Sequence, residues 1–176
     1  QEVSPWCERT VRVECRGFAA TLIMPHEPSI TRASRVYPDR PFVGVGAVVL
    51  VAQDIVLVKR RFEPLADEWS LPGGALELGE TMTIGVAREI REETSLQVEV
   101  GPVIDVLDRI VRDDADQVQY HYVLVDFLCR GVGCTLAPGS DVSQAVLAAP
   151  NALEEYRLTS KARSVITRGL AMQNQL

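Results

Sequence analysis

Histidine and paired cysteine are what this sequence has least of. Only His26 and His121 occur in 176 residues, and none of Cys7, Cys15, Cys129 and Cys134 forms a C-x-x-C pair. A structural zinc site built from cysteine and histidine is therefore not expected. Cys129 and Cys134 flank Arg-Gly-Val-Gly, which reads as a hairpin turn across which the two sulfurs would face each other. The plainer reading is four reduced thiols in a cytoplasmic protein. Basic residues are also short, with 18 Lys+Arg against 24 Asp+Glu and a pI near 5.0. That balance excludes broad nucleic-acid binding, which needs a basic patch to meet phosphates. It leaves open a small anionic substrate, because a bound divalent metal supplies positive charge locally. The longest apolar run, Phe42 to Ala52, is too short to cross a bilayer, so no membrane association is expected. No basic segment followed by an apolar one stands near Gln1, and no secretory leader is expected there.

What is present suits an ordinary globular protein, with 47% hydrophobic and 24% charged residues in a length that fits one domain. Residues 1–40 stand apart, because His26-Glu27-Pro28 and the prolines around Tyr37 break regular elements. They predict an irregular arm with short strands at Val11–Cys15 and Phe18–Ile23, ahead of a domain over 41–176. Phe42–Ala52 and Ile55–Arg60 are rich in valine and read as a hairpin about Gln53-Asp54, its first strand buried on both faces. Further strands are expected at Leu96–Val100, Pro102–Val111 and Val118–Cys129, with Asp113, Asp114 and Asp116 at a tip. Pro150–Tyr156 and Ser160–Met172 read as closing helices. Strands interleaved with few helices predict an α/β fold, a mixed sheet sandwiched between helices.

The chemistry concentrates in residues 73–96. Thr81 can cap a helix running through Arg88 to Thr94. At 100° per residue, Ile84, Ala87, Ile90 and Arg91 share one side, and the apolar three are expected to pack on the sheet. Glu89, Glu92 and Glu93 cluster opposite at i, i+3 and i+4, where like charges repel. A hard divalent cation held by carboxylate oxygens would offset that repulsion; so, more simply, would solvent with Arg88 and Arg91. Arg88 can pair with Glu92 one turn on and with Glu80 near the helix start. Gly85 reads either as room for a metal or phosphate or as a tolerated weak residue. The Gly73-Gly74 pair makes a turn whose carbonyls can point to the same place. Gly44-x-Gly46 lacks the third glycine and the following helix of a dinucleotide-binding turn.

This segment resembles the Nudix hydrolase signature, G-x5-E-x7-R-E-U-x-E-E-x-G-U, where U is a bulky apolar residue. Gly74, Glu80, Arg88, Glu89, Ile90, Glu92, Glu93 and Leu96 match in register, and Ser95 stands where the family has glycine. Trp69-Ser-Leu-Pro-Gly-Gly, the valine-rich hairpin and a helix near the C-terminus extend the resemblance over about residues 40–170. It implies a Nudix-like α/β/α sandwich and Mg²⁺, with Mn²⁺ as a substitute, held by Glu89, Glu92 and Glu93 together with the Gly73 carbonyl. It implies Arg88 as an orienting residue and Glu80 as its partner or a water-bridged ligand at the substrate end. The general base is Glu92 or, on a later loop, Asp141, which also reads as a plain turn residue after Pro138-Gly139. Arg60 and Arg61, next to Lys59, could steer phosphates, and Tyr122, in the Tyr120-His121-Tyr122 trio, could stack on a base; surface charge and sheet core are the alternatives. Serine at 95 would cost on the order of 1 kcal/mol if the helix exit is left-handed. The implied activity is Mg²⁺-dependent cleavage of a diphosphate in a nucleotide-like substrate, ADP-ribose ahead of triphosphates and dinucleotides. A catalytically silent nucleotide sensor of the same fold is the alternative, and isomerase chemistry on an isoprenoid diphosphate a more distant one. A homodimer, served by the arm and the acidic tip, is in keeping with the resemblance.

Overall fold

The computed structural model describes residues 9–15, 18–24, 34–62, 66–133 and 135–176. The chain divides into two compact units, Gln1–Ala33 and Ser34–Leu176. In the first, β1 (Arg9–Cys15) pairs antiparallel with β2 (Phe18–Met24), from Arg9↔Met24 to Cys15↔Phe18. The two strands expected in the arm lie within them.

The second unit is built on β3 (Phe42–Val51), whose valines favour the extended chain and whose interior is buried on both faces, as expected. It pairs parallel with β8 (Val118–Val132) and antiparallel with the start of β4 (Asp54–Arg60) and with β6 (Gly73–Ala75). β7 (Gln97–Arg112) lines the far side of β8, and β4 also carries β5 (Trp69–Ser70) and β9 (Val142–Ala148). The sheet is therefore mixed. Val45, Ala47, Val49, Val125, Phe127 and Cys129 pack with Val86 and Ile90 of α1 (Met82–Thr94) on one face. Val48, Leu50, Leu57 and Leu128 pack with Val165 and Ile166 of α2 (Ser160–Ala171) on the other. This is the expected α/β/α sandwich. Among the described residues, no helix is long and apolar enough to cross a membrane.

Several expectations are corrected. The turn between β3 and β4 is Ala52-Gln53, since Val51 pairs with Asp54, and Ala52 carries a φ of 56°. Leu96–Val100 and Pro102–Val111 merge into one long β7, with irregular register between Val100 and Asp105. Pro150–Tyr156 is a 3₁₀ helix. Arg130, Gly131 and Val132 are not a turn but continue β8 against Glu99, Val98 and Gln97. Cys129 is a free, fully buried thiol of the core, which burial pushes up to about 12, and Cys134 lies outside the described residues.

α1 is rotated away from the face its apolar residues suggest: Ile90 packs on the sheet as expected, Ala87 is half-buried and Ile84 is turned outward. Gly85, Val86, Ile90, Glu93 and Thr94 are buried, while Ile84 is 60% exposed. The surface that receives the helix includes the bare backbone of β6, so carboxylates enter where apolar side chains were expected. Gly85 makes room for the protein's own Leu76 and Glu80, which lie 2.7 and 3.0 Å from where its Cβ would stand.

The exit of α1 agrees with the sequence reading. Ser95 closes the helix in the left-handed region (φ 62°, ψ 3°), its N–H donating to the Arg91 carbonyl. Its hydroxyl donates a long, exposed bond of 3.3 Å to the Ala137 carbonyl, which offsets little of the strain. Ser95→Gly is expected to stabilise the protein by about 1 kcal/mol, raising Tm by about 2–4 °C in a thermal melt. A lower Tm would show that the Ala137 contact outweighs the backbone strain.

Candidate active site

α1 begins where Thr81 accepts the Ile84 N–H at 3.3 Å, the cap the sequence suggests. Two turns in, Arg88 spends all five of its N–H donors. Nε and Nη2 grip the Glu80 oxygens at 2.8 and 2.9 Å, and Nη1 reaches Glu89 at 2.9 Å and Glu92 at 3.1 Å. Nη2 also donates to the Ala75 carbonyl at 3.2 Å, which ties the helix to β6. The Glu80 and Glu92 partners are those expected. The guanidinium holds the Glu80 carboxyl down to about 2, and the three carboxylates in turn raise the Arg88 pKa.

Glu89 and Glu93 face the β6 backbone. A Cβ on Gly74 would stand 2.4 Å from a Glu89 oxygen, so only glycine leaves that carboxylate its place. Glu93 is 9% exposed and accepts the Gly73 N–H at 2.9 Å. Burial, with a smaller contribution from Glu89 and Asp141, pushes its carboxyl up to about 7 against the pull of the Gly73 N–H and Arg60. Burial also raises Glu89, in spite of Arg88.

The segment from residue 135 to 141 docks on the last turn of α1. Ala137 N–H donates to the Thr94 carbonyl and Gly139 N–H to the Glu93 carbonyl, both at 3.0 Å, satisfying helix-end acceptors that would otherwise be orphaned. This brings Asp141 close enough for Glu93 to feel its charge. The Asp141 carbonyl accepts the Arg61 N–H at 3.1 Å, and the Arg61 guanidinium donates to the Val142 carbonyl at 3.0 Å. Arg60, at the bulge that ends β4, acts electrostatically on Glu93, and its Nε is buried without a hydrogen-bond partner.

The sequence-selected residues thus fall into groups. Glu80, Arg88, Glu89 and Glu92 form one ion-pair network, and Glu93 gathers Gly73, Arg60 and Asp141. Arg61 is tied to β9. Tyr122 stands apart, tilted against Phe42 with ring centroids 6.2 Å apart. Sequence reasoning missed Gly139, where a Cβ would lie 1.7 Å from the Glu92 carbonyl oxygen. The Pro-Gly turn marked the position but not the close approach behind it.

Among the described residues, no three acidic, histidine or cysteine side chains converge as a formed ligand set, because Arg88 holds Glu89 and Glu92. The chemistry of the donors nevertheless fits a hard divalent cation. All are oxygens; Glu93 is a buried acid with no ion-pair partner among the described residues, and Glu89 is half-buried and shares one Arg88 nitrogen with Glu92.

A family model described as NUDIX domain matches residues 40–168. An ADP-ribose pyrophosphatase of Methanocaldococcus jannaschii is 33% identical over 105 residues, 60% of each chain. A MutT-like protein of Streptomyces ambofaciens is 41% identical over 75 residues, 43% of this chain and 47% of its own. The matches thus span about half to three-fifths of these curated relatives. A MutT NUDIX hydrolase from Burkholderia pseudomallei has the same fold, with a TM-score of 0.64 at 28% identity over 74% of this chain and 98% of that one.

Proposed function

The chain belongs to the NUDIX family, and from this we propose that it is a pyrophosphohydrolase that uses Mg²⁺ to cut the diphosphate of a nucleoside diphosphate-linked compound, ADP-ribose first among them. The observation that carries this reading is the intact acid set, with Glu93 buried and without an ion-pair partner among the described residues, and Glu89 half-buried and sharing one Arg88 nitrogen with Glu92. Buried acids in that state favour a cation, whereas a solvated acidic face would leave them exposed. The similarity to an ADP-ribose pyrophosphatase supports the choice of substrate.

In this reading Glu89, Glu92 and Glu93, with the Gly73 carbonyl, hold the cation. When bound, it neutralises diphosphate charge and makes a coordinated water more acidic. Arg88 fixes the directions of Glu89 and Glu92 through one nitrogen, and Glu80 fixes Arg88. Glu92 is 54% exposed and held by a single bond from Arg88, so it can reach a water and take its proton. Asp141, beside Glu93, is the second candidate for the base. Arg60, which acts electrostatically on Glu93 from the end of β4, meets the substrate phosphate.

The test is product analysis. The protein is incubated with Mg²⁺ and ADP-ribose, NADH, diadenosine polyphosphates, nucleoside triphosphates or sugar nucleotides, with and without chelator. Chelator-sensitive release of AMP and ribose 5-phosphate from ADP-ribose is the expected result. Tight binding of one compound without turnover of any would replace this reading with that of a nucleotide sensor.

A further inference from the structure

Gly44 and Gly46 of β3 lie on the α2 face of the sheet, and the space above them is filled from β8. A Cβ on Gly44 would meet Leu124 Cδ2 at 2.8 Å, and one on Gly46 would meet Asp126 Oδ1 at 2.4 Å. Asp126 therefore leans off its own strand and over β3. Gly46 is also the register partner of Gly73 in β6, and the Pro72 carbonyl lies 3.7 Å from the same point. The carboxylate thus stands about one strand spacing, ~4.8 Å, from the Gly73 backbone, on the face of the sheet opposite the helix that carries Glu93.

Asp126 is 8% exposed, and no described residue donates a hydrogen bond to it. The cation nearby, Arg168 of α2, is paired with Asp105, which sits beside Asp126 in the β7–β8 register. Burial, and then Asp105, push the Asp126 carboxyl up to about 6. A buried acceptor with no donor is costly, and proteins rarely retain one without a use. Its oxygens are not sealed, since Arg60 Nε is the one sealed and unpartnered side-chain atom among the described residues.

We propose that Asp126 is a specificity-determining residue, whose carboxylate accepts hydrogen bonds from donors on the part of the substrate beyond the scissile diphosphate. Those donors are the hydroxyls of the sugar or the exocyclic amino group of the base. This rests on the hydrolase reading of the neighbouring acids. An ionised carboxylate only accepts, and acidic side chains take ribose hydroxyls in this way elsewhere. A site built to bind a donor also rejects an analogue lacking it, because the acceptor is then left buried and unpaired.

The full-length protein and Asp126→Asn are compared with Mg²⁺ on ADP-ribose, its 2′-deoxyribose analogues and its hypoxanthine counterpart, reading kcat, KM and Tm. The expected result is a KM for ADP-ribose raised about tenfold or more with kcat within about twofold. The variant should also lose the wild-type preference over one analogue. Loss against the deoxyribose compounds assigns the sugar, and loss against the hypoxanthine compound assigns the base. Unchanged KM and selectivity with a raised Tm would overturn the proposal, leaving Asp126 a buried charge and nothing more. Should the wild type cleave none of the compounds, the hydrolase reading fails, and calorimetric binding of the same set to both proteins still decides the role of Asp126.

Discussion

Glu93→Gln is expected to lose about a thousandfold or more in metal-dependent turnover, the several kcal/mol that a bound cation contributes to the transition state. The same substitution should make the metal-free protein more stable above pH 7. Burial pushes the Glu93 carboxyl from 4.5 up to about 7. Between those values the folded chain holds a proton that the unfolded chain releases. The stability this gives is present below about pH 4.5 and is lost as the pH rises through about 7. Glutamine keeps the Gly73 N–H bond and carries no charge at any pH, so the loss disappears. The gain at pH 8 is about 2–3 kcal/mol at most, or a Tm rise of several degrees. Mg²⁺ should raise the wild-type Tm at pH 8 by mass action and leave that of the variant unmoved. A variant that melts lower than wild type at pH 8, or still responds to Mg²⁺, would show that Glu93 is not the buried, cation-seeking acid described above.

Gly139→Ala should be strongly damaging although it lies outside the acidic helix. Its Cβ would stand 1.7 Å from the Glu92 carbonyl oxygen and 3.3 Å from the Glu93 Cα. Both are backbone atoms, so no rotamer change can relieve the overlap. The segment must lift, breaking the Gly139 N–H bond to the Glu93 carbonyl and withdrawing Asp141. Overpacking of this kind costs about 1–3 kcal/mol, a Tm loss of roughly 3–10 °C. The kcat/KM should fall about tenfold or more, because a displacement near 1 Å is enough to misplace reacting groups. Thr135→Ala, at an exposed position of the same segment, serves as the control. A Gly139→Ala protein with wild-type Tm and activity would mean that the docked loop positions nothing.

The acid set could be read from the sequence because its spacing is a local property. Glu80, Arg88, Glu89, Glu92 and Glu93 lie on one loop and helix, and the register of one helix brings Arg88 to Glu92. The Thr81 cap, the left-handed exit at Ser95 and the doubly buried β3 were readable for the same reason. Each depends on neighbours within a turn or along one strand.

The inward face of α1 was readable only at Ile90. Counting apolar side chains points Ile84 at the sheet, yet the helix is seated by what it meets, and β6 meets it with two glycines. β9 was missed because only Val142 and Ala148 in it are buried, and its partner is β4, far upstream in the chain. Sequence by itself determined the chemistry on offer: oxygen donors, one orienting arginine, and a helix and sheet to carry them. Tertiary structure alone decided which acids are buried, which loop closes on Glu93, and that Asp126 leans over Gly46, because burial and close approach are made by residues that sequence spacing does not connect.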